Sequence, residues 1–355
     1  MDIKYKPIAA PVADRQLFNA RFSHDGNMLL AGSYQGDIRR FDLTIEENQE
    51  LAAITGHNAW VQALALHPTE NLILSGDSWG TLQLHDFTQE TPTPIWTIEN
   101  AHDGWIRSVA FSKTGDWFAT AGLDQTVRIF QTKNGKQKHE LSGHGADVYH
   151  VLFHPASDEL LSADALGRII QWNLKEKAPA REFDASETFL AHRLQDVGGV
   201  QCMTFSPDGQ SLYVGGTRPK NGATVQGVPI ILGFSWDTAE RTLLRELGST
   251  ADCYCEDLKF HPDGFLIAVS SGTPGTGKLQ FIDLEQEEPL WMVSNLSNCH
   301  AIDVHPDGKT IAITTTVRGS NGNGRKVDAD GNYIGNTSPI QLLSPDIPES
   351  DSPAS

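Results

Sequence analysis

Asp103-Gly104-Trp105-Ile106-Arg107-Ser108-Val109-Ala110-Phe111-Ser112-Lys113-Thr114-Gly115, continuing as Trp117-Phe118-Ala119-Thr120-Ala121-Gly122-Leu123-Asp124-Gln125-Thr126-Val127-Arg128-Ile129-Phe130, is the stretch whose reading decides the fold. Apolar residues alternate over three short runs, and Lys-Thr-Gly and Leu-Asp-Gln separate them. Alternation with turn residues between runs reads as antiparallel strands joined by tight turns. Such a small sheet cannot bury both of its faces alone, so it calls for neighbours built the same way.

Those neighbours are present. A hydrophobic residue precedes a turn of the Ser/His-Pro-Asp-Gly kind at Phe22, Leu66, Phe111, Phe153, Phe205, Phe260 and Val304, with gaps of 44, 45, 42, 52, 55 and 44 residues. A period of roughly 40–45 residues with four strand patterns per unit is the signature of propeller blades. In each unit strand a ends at the marker. Strand b is an apolar run ending in small residues (Met28 to Gly32, Leu72 to Gly76, Phe118 to Gly122 and so on), which lets neighbouring sheets approach near the axis. Strand c follows, for example Ile38–Leu43 or Val127–Gln131, and strand d forms the outer edge. The seventh unit has no strand d after Leu343, whereas Tyr5–Pro11 stands where a strand d would precede the first strand a. The expected fold is therefore all-β, a single seven-bladed propeller over residues 1–345. The chain start closes the ring by pairing in the last blade, which leaves no severed sheet edge. Residues 346–355, rich in Pro and acid, read as a loose tail.

Composition bounds the rest. The chain has 355 residues, 39% of them hydrophobic, and a formal net charge of −18. That charge repels nucleic acid and anionic membranes over most of the surface, so neither is an expected partner. No apolar run approaches the roughly 20 residues that span a bilayer, and the N-terminal stretch has no signal-peptide pattern. Four cysteines, Cys202, Cys253, Cys255 and Cys299, are too few for a disulfide framework. A cytoplasmic protein, monomeric by itself, is expected.

Gly56-His57, Ala101-His102 and Gly143-His144 at unit starts, the Pro-Asp-Gly turns, and Trp236-Asp237 with weaker forms such as Phe41-Asp42 and Trp172-Asn173 at the ends of strand c resemble WD40 repeats over residues 3–345. The resemblance implies a His, a strand-b Ser/Thr, a b–c turn Asp and a strand-c Trp hydrogen-bonded within one blade. Matched residue by residue, no blade is expected to hold the full set: blade 3 has Phe130 for Trp, blade 4 has Leu166 for Asp, and blade 2 has Trp79 and His85 at those two positions. Fewer polar networks and more apolar packing between blades are the expectation. His67, His154, His261 and His305 read as turn residues.

The same resemblance implies that partners dock on the face bearing the d–a and b–c connections. Trp60 and Trp105 hold equivalent places before strand a, and Trp79 lies in a b–c turn. Arg107 and Tyr149 lie two residues beyond the Trp105 place, and Asp147 occupies that place in blade 4. Trp, Tyr and Arg are enriched at interface hot spots. The alternative is that these rings pack as lids on their blades. Long b–c loops at Thr217–Pro229 and Val317–Ser338, a shorter one at Gly272–Lys278 and an extended connection at Asp184–Gly199 hold Arg193, Arg218, Lys220, Lys278, Arg325 and Lys326. They are either a recognition collar or tolerated insertions.

Chemistry is poorly represented. Val327–Tyr333 has the alternating oxygen ligands of a calcium loop but lacks its glycine and its closing glutamate. Cys253, Cys255, Cys299 and His300 have ligand types suited to zinc, without a known spacing. Carboxylates near strand-a starts (Asp103, Asp147, Asp196, Asp252, Glu256) fall in unlike registers. The reading is a non-catalytic scaffold that needs no cofactor and binds a protein or peptide. The alternative is a metal-dependent hydrolase or ligand sensor using the channel mouth.

Overall fold

The computed structural model describes residues 4–346 apart from 46–47, 194, 222–225, 273–276, 317–324, 328, 332 and 337, with the backbone alone at 325–327 and 333–336. Seven small antiparallel sheets follow one another along the chain. Blade 1 comprises Arg21–Phe22, Met28–Gly32, Ile38–Asp42 and Gln49–Ile54. Blade 2 runs from Val61–Leu66 to Pro94–Ile98, blade 3 from Ile106–Phe111 to Gln137–Ser142, and blade 4 from Val148–Phe153 to Ala178–Asp184. Blade 5 runs from Val200–Phe205 to Arg241–Glu246 and blade 6 from Tyr254–Phe260 to Trp291–Leu296. Blade 7 joins Cys299–Val304, Ile311–Thr315 and Ser338–Pro345 to the chain start.

Ring closure is as expected. Tyr5–Ile8 pairs antiparallel with Ser338–Pro345, with Tyr5 opposite Pro345 and Ile8 opposite Leu342. The Tyr5 ring packs edge-on to Phe281, 5.0 Å between centroids, and its hydroxyl lies 3.3 Å from His261 Nε2. Tyr5–Ile8 is thus bound in the last sheet, and Tyr5 packs against blade 6.

The core is distributed around the ring. Seven apolar clusters each span one junction between neighbouring blades, from Leu30, Ile38, Val61 and Ile73 between blades 1 and 2 to Leu29, Phe41, Ala312 and Leu342 between blades 7 and 1. Strand b is buried almost throughout because it is covered on both faces, whereas strand d alternates toward solvent. The small residues at the end of strand b have the expected cause. A Cβ on Gly76 would come within 2.7 Å of Ile106 in the next blade.

Blade 4 holds the full polar set that no blade was expected to hold, whereas blades 2 and 3 lack the strand-c Trp as expected. In blade 4, Trp172 Nε1 donates to Ser162 Oγ (2.7 Å), Ser162 lies 2.6 Å from His144 Nε2, and His144 Nδ1 lies 2.8 Å from Asp164. An indole N–H only donates and a carboxylate only accepts. The chain of donors therefore runs from Trp172 to Ser162 to His144 to Asp164. The carboxylate is Asp164, at the end of strand b, two residues before the Leu166 that sequence matching put in its place. Asp164 also accepts the Leu166 and Arg168 amides, so it both ends the network and shapes the b–c turn. Blade 2 has the same device: His57 bridges Ser75 (2.7 Å) and Asp77 (2.9 Å), and Asp77 holds the amides of Trp79 and Thr81. Blade 3 uses His102, Thr120 and Asp124. His85, where blade 4 has Trp172, is fully buried, and neither ring nitrogen has a partner.

The turn histidines clasp neighbouring blades. His305 Nε2 lies 3.1 Å from the Gly26 carbonyl oxygen, and His154 Nε2 3.1 Å from that of Gly209. His67 packs so closely over Gly115 that a Cβ there would overlap its ring. Each of these glycines has positive φ.

Two expected loops are partly strand. Thr217–Pro229 continues the blade 5 sheet, with Thr217 opposite Pro229 and Arg218 opposite Val228. Within Val317–Ser338, Arg325–Val327 pairs with Tyr333–Asn336. The connection Asp184–Gly199 carries a single helical turn at Ser186–Thr188 and a two-stranded ribbon of Phe189–Leu190 with Val197–Gly198. Asp328 and Asn332 of the calcium-like stretch, and the tail after Asp346, lie outside the described residues.

Candidate functional site

Six of the seven strands a carry the same irregularity. Pairing slips by one residue between Val61 and Ala63, Ile106 and Ser108, Val148 and His150, Val200 and Cys202, Cys255 and Asp257, and Cys299 and Ala301. A bulge leaves its extra residue outside the ladder and re-aims the side chain. The bulged residues are Gln62, Arg107, Tyr149, Gln201, Glu256 and His300, each four residues before its marker. By the same count Phe18 holds this place in blade 1. All seven line one channel of about 520 Å³.

The channel wall is braced by polar bonds between adjacent strands a. Asp257 accepts the Ile302 amide at 3.0 Å, Asp303 accepts the Phe22 amide at 2.8 Å, and Asn19 donates to the Gln62 carbonyl oxygen at 2.5 Å. These carboxylates work as ties between blades. Burial dominates the ionisation of the bulge residues. It pushes the His300 imidazole down to about 4 and raises the Glu256 carboxyl, which also accepts the Ser271 hydroxyl. Of the five carboxylates singled out in the sequence, only Glu256 lines the channel. Asp252 is held by Lys278 at 2.8 Å.

Arg107 is the unusual member. Its guanidinium lies over the Tyr149 ring, 4.8 Å from the centroid, and Nη1 donates to Gln62 Oε1 at 3.3 Å. Nε is enclosed and has no acceptor. Burial lowers its pKa, with Tyr149, Glu256 and Asp147 opposing.

A connected aromatic surface leads away from this ring. Phe18 stacks on Tyr34 at 3.9 Å, Tyr34 meets Trp60 at 4.8 Å, and Trp60 meets Trp105 edge-on at 5.4 Å. Trp60 is 40% exposed and Trp79 67%. Tyr34, Trp60, Trp79 and Trp105 line a surface pocket of about 350 Å³ together with Asn58 and Ser78. The two sequence readings of Trp60 and Trp105 thus combine: the rings pack on each other and also face solvent. Phe18 and Tyr34 were missed. Counting back four from Phe22 identifies Phe18, and Tyr34 lies in the b–c turn of blade 1, next to the turn that carries Trp79.

Of the basic residues of the long loops, Arg218, Lys220 and Lys278 each lie beside an acid. Arg218 lies 3.2 Å from Glu246 and 3.9 Å from Glu187, and Lys220 lies 3.9 Å from Glu246, all within or beside blade 5. Surface pairs of this kind contribute about 0–1 kcal/mol. The side chains of Arg325 and Lys326 lie outside the described residues. Asp147 is half-buried, and its carbonyl oxygen accepts the Ala165 amide. Cys202, Cys255 and Cys299 are buried free thiols, and Cys253 is half-buried. Among the described residues no group of three or more His, Cys, Asp or Glu is arranged to hold a metal ion.

Comparison with known proteins agrees with the repeat. The family described as WD domain, G-beta repeat matches residues 48–86, 92–131 and 135–173, which are strands of blades 1 to 4. Similar curated proteins include the Target of rapamycin complex subunit wat1 of Schizosaccharomyces pombe, 26% identical over 50% of this chain and 54% of that protein. WD repeat-containing protein 55 of Pongo abelii is 26% identical over 41% of this chain and 38% of its own length. Striatin-3 of Rattus norvegicus is 28% identical over 36% and 18%. The chain thus spans about half or less of the length of these relatives.

Proposed function

We propose that this chain, a member of the WD40-repeat propeller family, works as a non-catalytic interaction scaffold that docks a protein or peptide on the d–a and b–c face of blades 1 to 3. The observation that carries this reading is the joined aromatic surface of Tyr34, Trp60 and Trp105, with Trp79 standing exposed across a shallow pocket. Exposed tryptophans are costly in water, and buried aromatic anchors dominate binding energy at interfaces. The rings are held by one another, so little side-chain freedom is lost when a partner covers them. The propeller contributes rigidity, because each blade is clamped on both faces by its neighbours. The relative named as a complex subunit is in keeping with a role in assembly. Buried free thiols suit a reducing compartment such as the cytoplasm.

Trp60→Ala combined with Trp105→Ala tests this. The double variant is expected to keep the far-ultraviolet circular dichroism of the wild type while association weakens by roughly 2–4 kcal/mol, the scale of hot-spot truncation. Equal recovery of the same partners by wild type and variant in quantitative affinity purification rules out this face.

A further inference from the structure

Arg107 poses a problem that the scaffold reading leaves open. A guanidinium carries five N–H donors. One of Arg107's reaches a neutral acceptor, Gln62 Oε1 at 3.3 Å, and no carboxylate among the described residues forms an ion pair with it. Of the other cations along the channel, Lys259 pairs with Asp303 at 3.2 Å, whereas Arg21 donates to the Ala20 carbonyl oxygen at 2.8 Å. The acid across the ring, Glu256, is already engaged by Ser271. Nor is Arg107 loose, since the Tyr149 face holds its plane in place. Glu256 and Asp147 act on it only from a distance, no described carboxylate comes within ion-pair range, and Nε is enclosed without an acceptor. A fixed, half-buried guanidinium so placed is unfavourable unless something supplies an acceptor.

Its position indicates what supplies it. Arg107 lines the channel two residues after Trp105, and Phe18 of the same ring begins the aromatic surface. Tyr34 is within the electrostatic reach of both Arg107 and Glu256. A segment lying across Trp60 and Tyr34 is therefore brought close to Arg107. A planar fork matches a carboxylate through two parallel hydrogen bonds. A phosphate cluster would call on several cations, and Lys259 is already paired with Asp303. On this basis, and resting on the docking face proposed above, we propose that Arg107 receives a carboxylate of the docked partner, so that the partner segment is an acidic peptide with an apolar residue beside its Asp, Glu or C-terminal carboxylate. The aromatic surface takes the apolar residue, and Arg107 fixes the register.

The test is selection of short random peptides displayed with free C-termini on the full-length protein. Wild type is expected to enrich peptides pairing an acid with an aromatic or aliphatic neighbour. For the leading synthetic peptide, replacing that acid by its amide is expected to weaken binding to wild type by more than about tenfold, on the scale of coupled interfacial charges. The same change is expected to have little effect on binding to Arg107→Gln. Arg107→Lys, which keeps the charge and loses the fork, is expected to fall between them, and it serves if Arg107→Gln fails to fold. Selection of basic or uncharged peptides, or an equal amide effect on wild type and Arg107→Gln, overturns the assignment. If the peptides bind Arg107→Gln as well as wild type but lose the Trp60→Ala/Trp105→Ala variant, the docking face stands and the carboxylate receptor falls. If wild type selects no peptide, the carboxylate receptor falls, and the docking face is decided by the affinity purification with Trp60→Ala/Trp105→Ala.

Discussion

Ser162→Ala is the most informative single change to the scaffold. Its hydroxyl is fully buried and serves two partners, accepting from the Trp172 indole at 2.7 Å and meeting His144 Nε2 at 2.6 Å. Removing it leaves a buried donor and a buried acceptor unsatisfied, each costing about 1–3 kcal/mol. The expected loss is about 2–5 kcal/mol. Ser75 provides the control in the same protein. It holds the equivalent place in blade 2 and meets His57 Nε2 at 2.7 Å, but His85 replaces the indole. Ser75→Ala therefore orphans one strong partner, and its loss is expected to be smaller by about 1–2 kcal/mol. Urea unfolding followed by circular dichroism and tryptophan fluorescence, with unchanged slope, reports both. In a Ser162→Ala background, Trp172→Phe is expected to cost less than it does alone, because the N–H it removes is already orphaned. If Ser75→Ala destabilises as much as Ser162→Ala, the indole bond contributes nothing and the donor chain described for blade 4 is wrong.

Other outcomes follow from neighbouring features. Burial, and secondarily His57, pushes His85 down to about 4 from an unfolded value near 6.5. The unfolded chain then binds the proton more readily, so stability present above pH 6.5 is lost as pH falls toward 4. His85→Phe, which matches Phe130 at the same place in blade 3, is expected to flatten that part of a stability–pH curve; an unaltered curve refutes the burial argument. Gly115→Ala combines a φ of +80° with overlap on the His67 ring, and a loss of more than about 1 kcal/mol in unfolding free energy is expected from the shift in denaturation midpoint. Tyr5→Ala removes ring contacts with Phe281 and Trp291 and frees the closing strand, so a loss of about 1–3 kcal/mol is expected. Faster proteolysis of the chain start than in wild type would accompany it, and wild-type resistance would mean that closure does not depend on this ring.

The spacing of seven markers determined the blade number, the strand order within each blade and the borrowed outer strand, because a period-two pattern and turn residues are local properties that survive in one dimension. It also located Trp60, Trp105, Arg107 and Tyr149 in equivalent registers. The Asp164 network was misread for a local reason. The carboxylate can enter the same hydrogen bond from the end of strand b or from the turn beyond it, and only the folded backbone decides which. Apolar junctions were expected in general, but the pairing of each cluster with two particular blades, the histidine clasps over glycine turns and the acids tying strands a together all join residues far apart in the chain. The candidate site divides in the same way. Residue type and register were legible from Trp60 to Tyr149. The match of Arg218 and Lys220 to Glu246 is set across the blade 5 sheet, and that Phe18 and Tyr34 meet Trp60 and that Arg107 has no described carboxylate in ion-pair range are properties of distances between blades. Closing seven sheets into a ring sets those distances, and no stretch of sequence contains them.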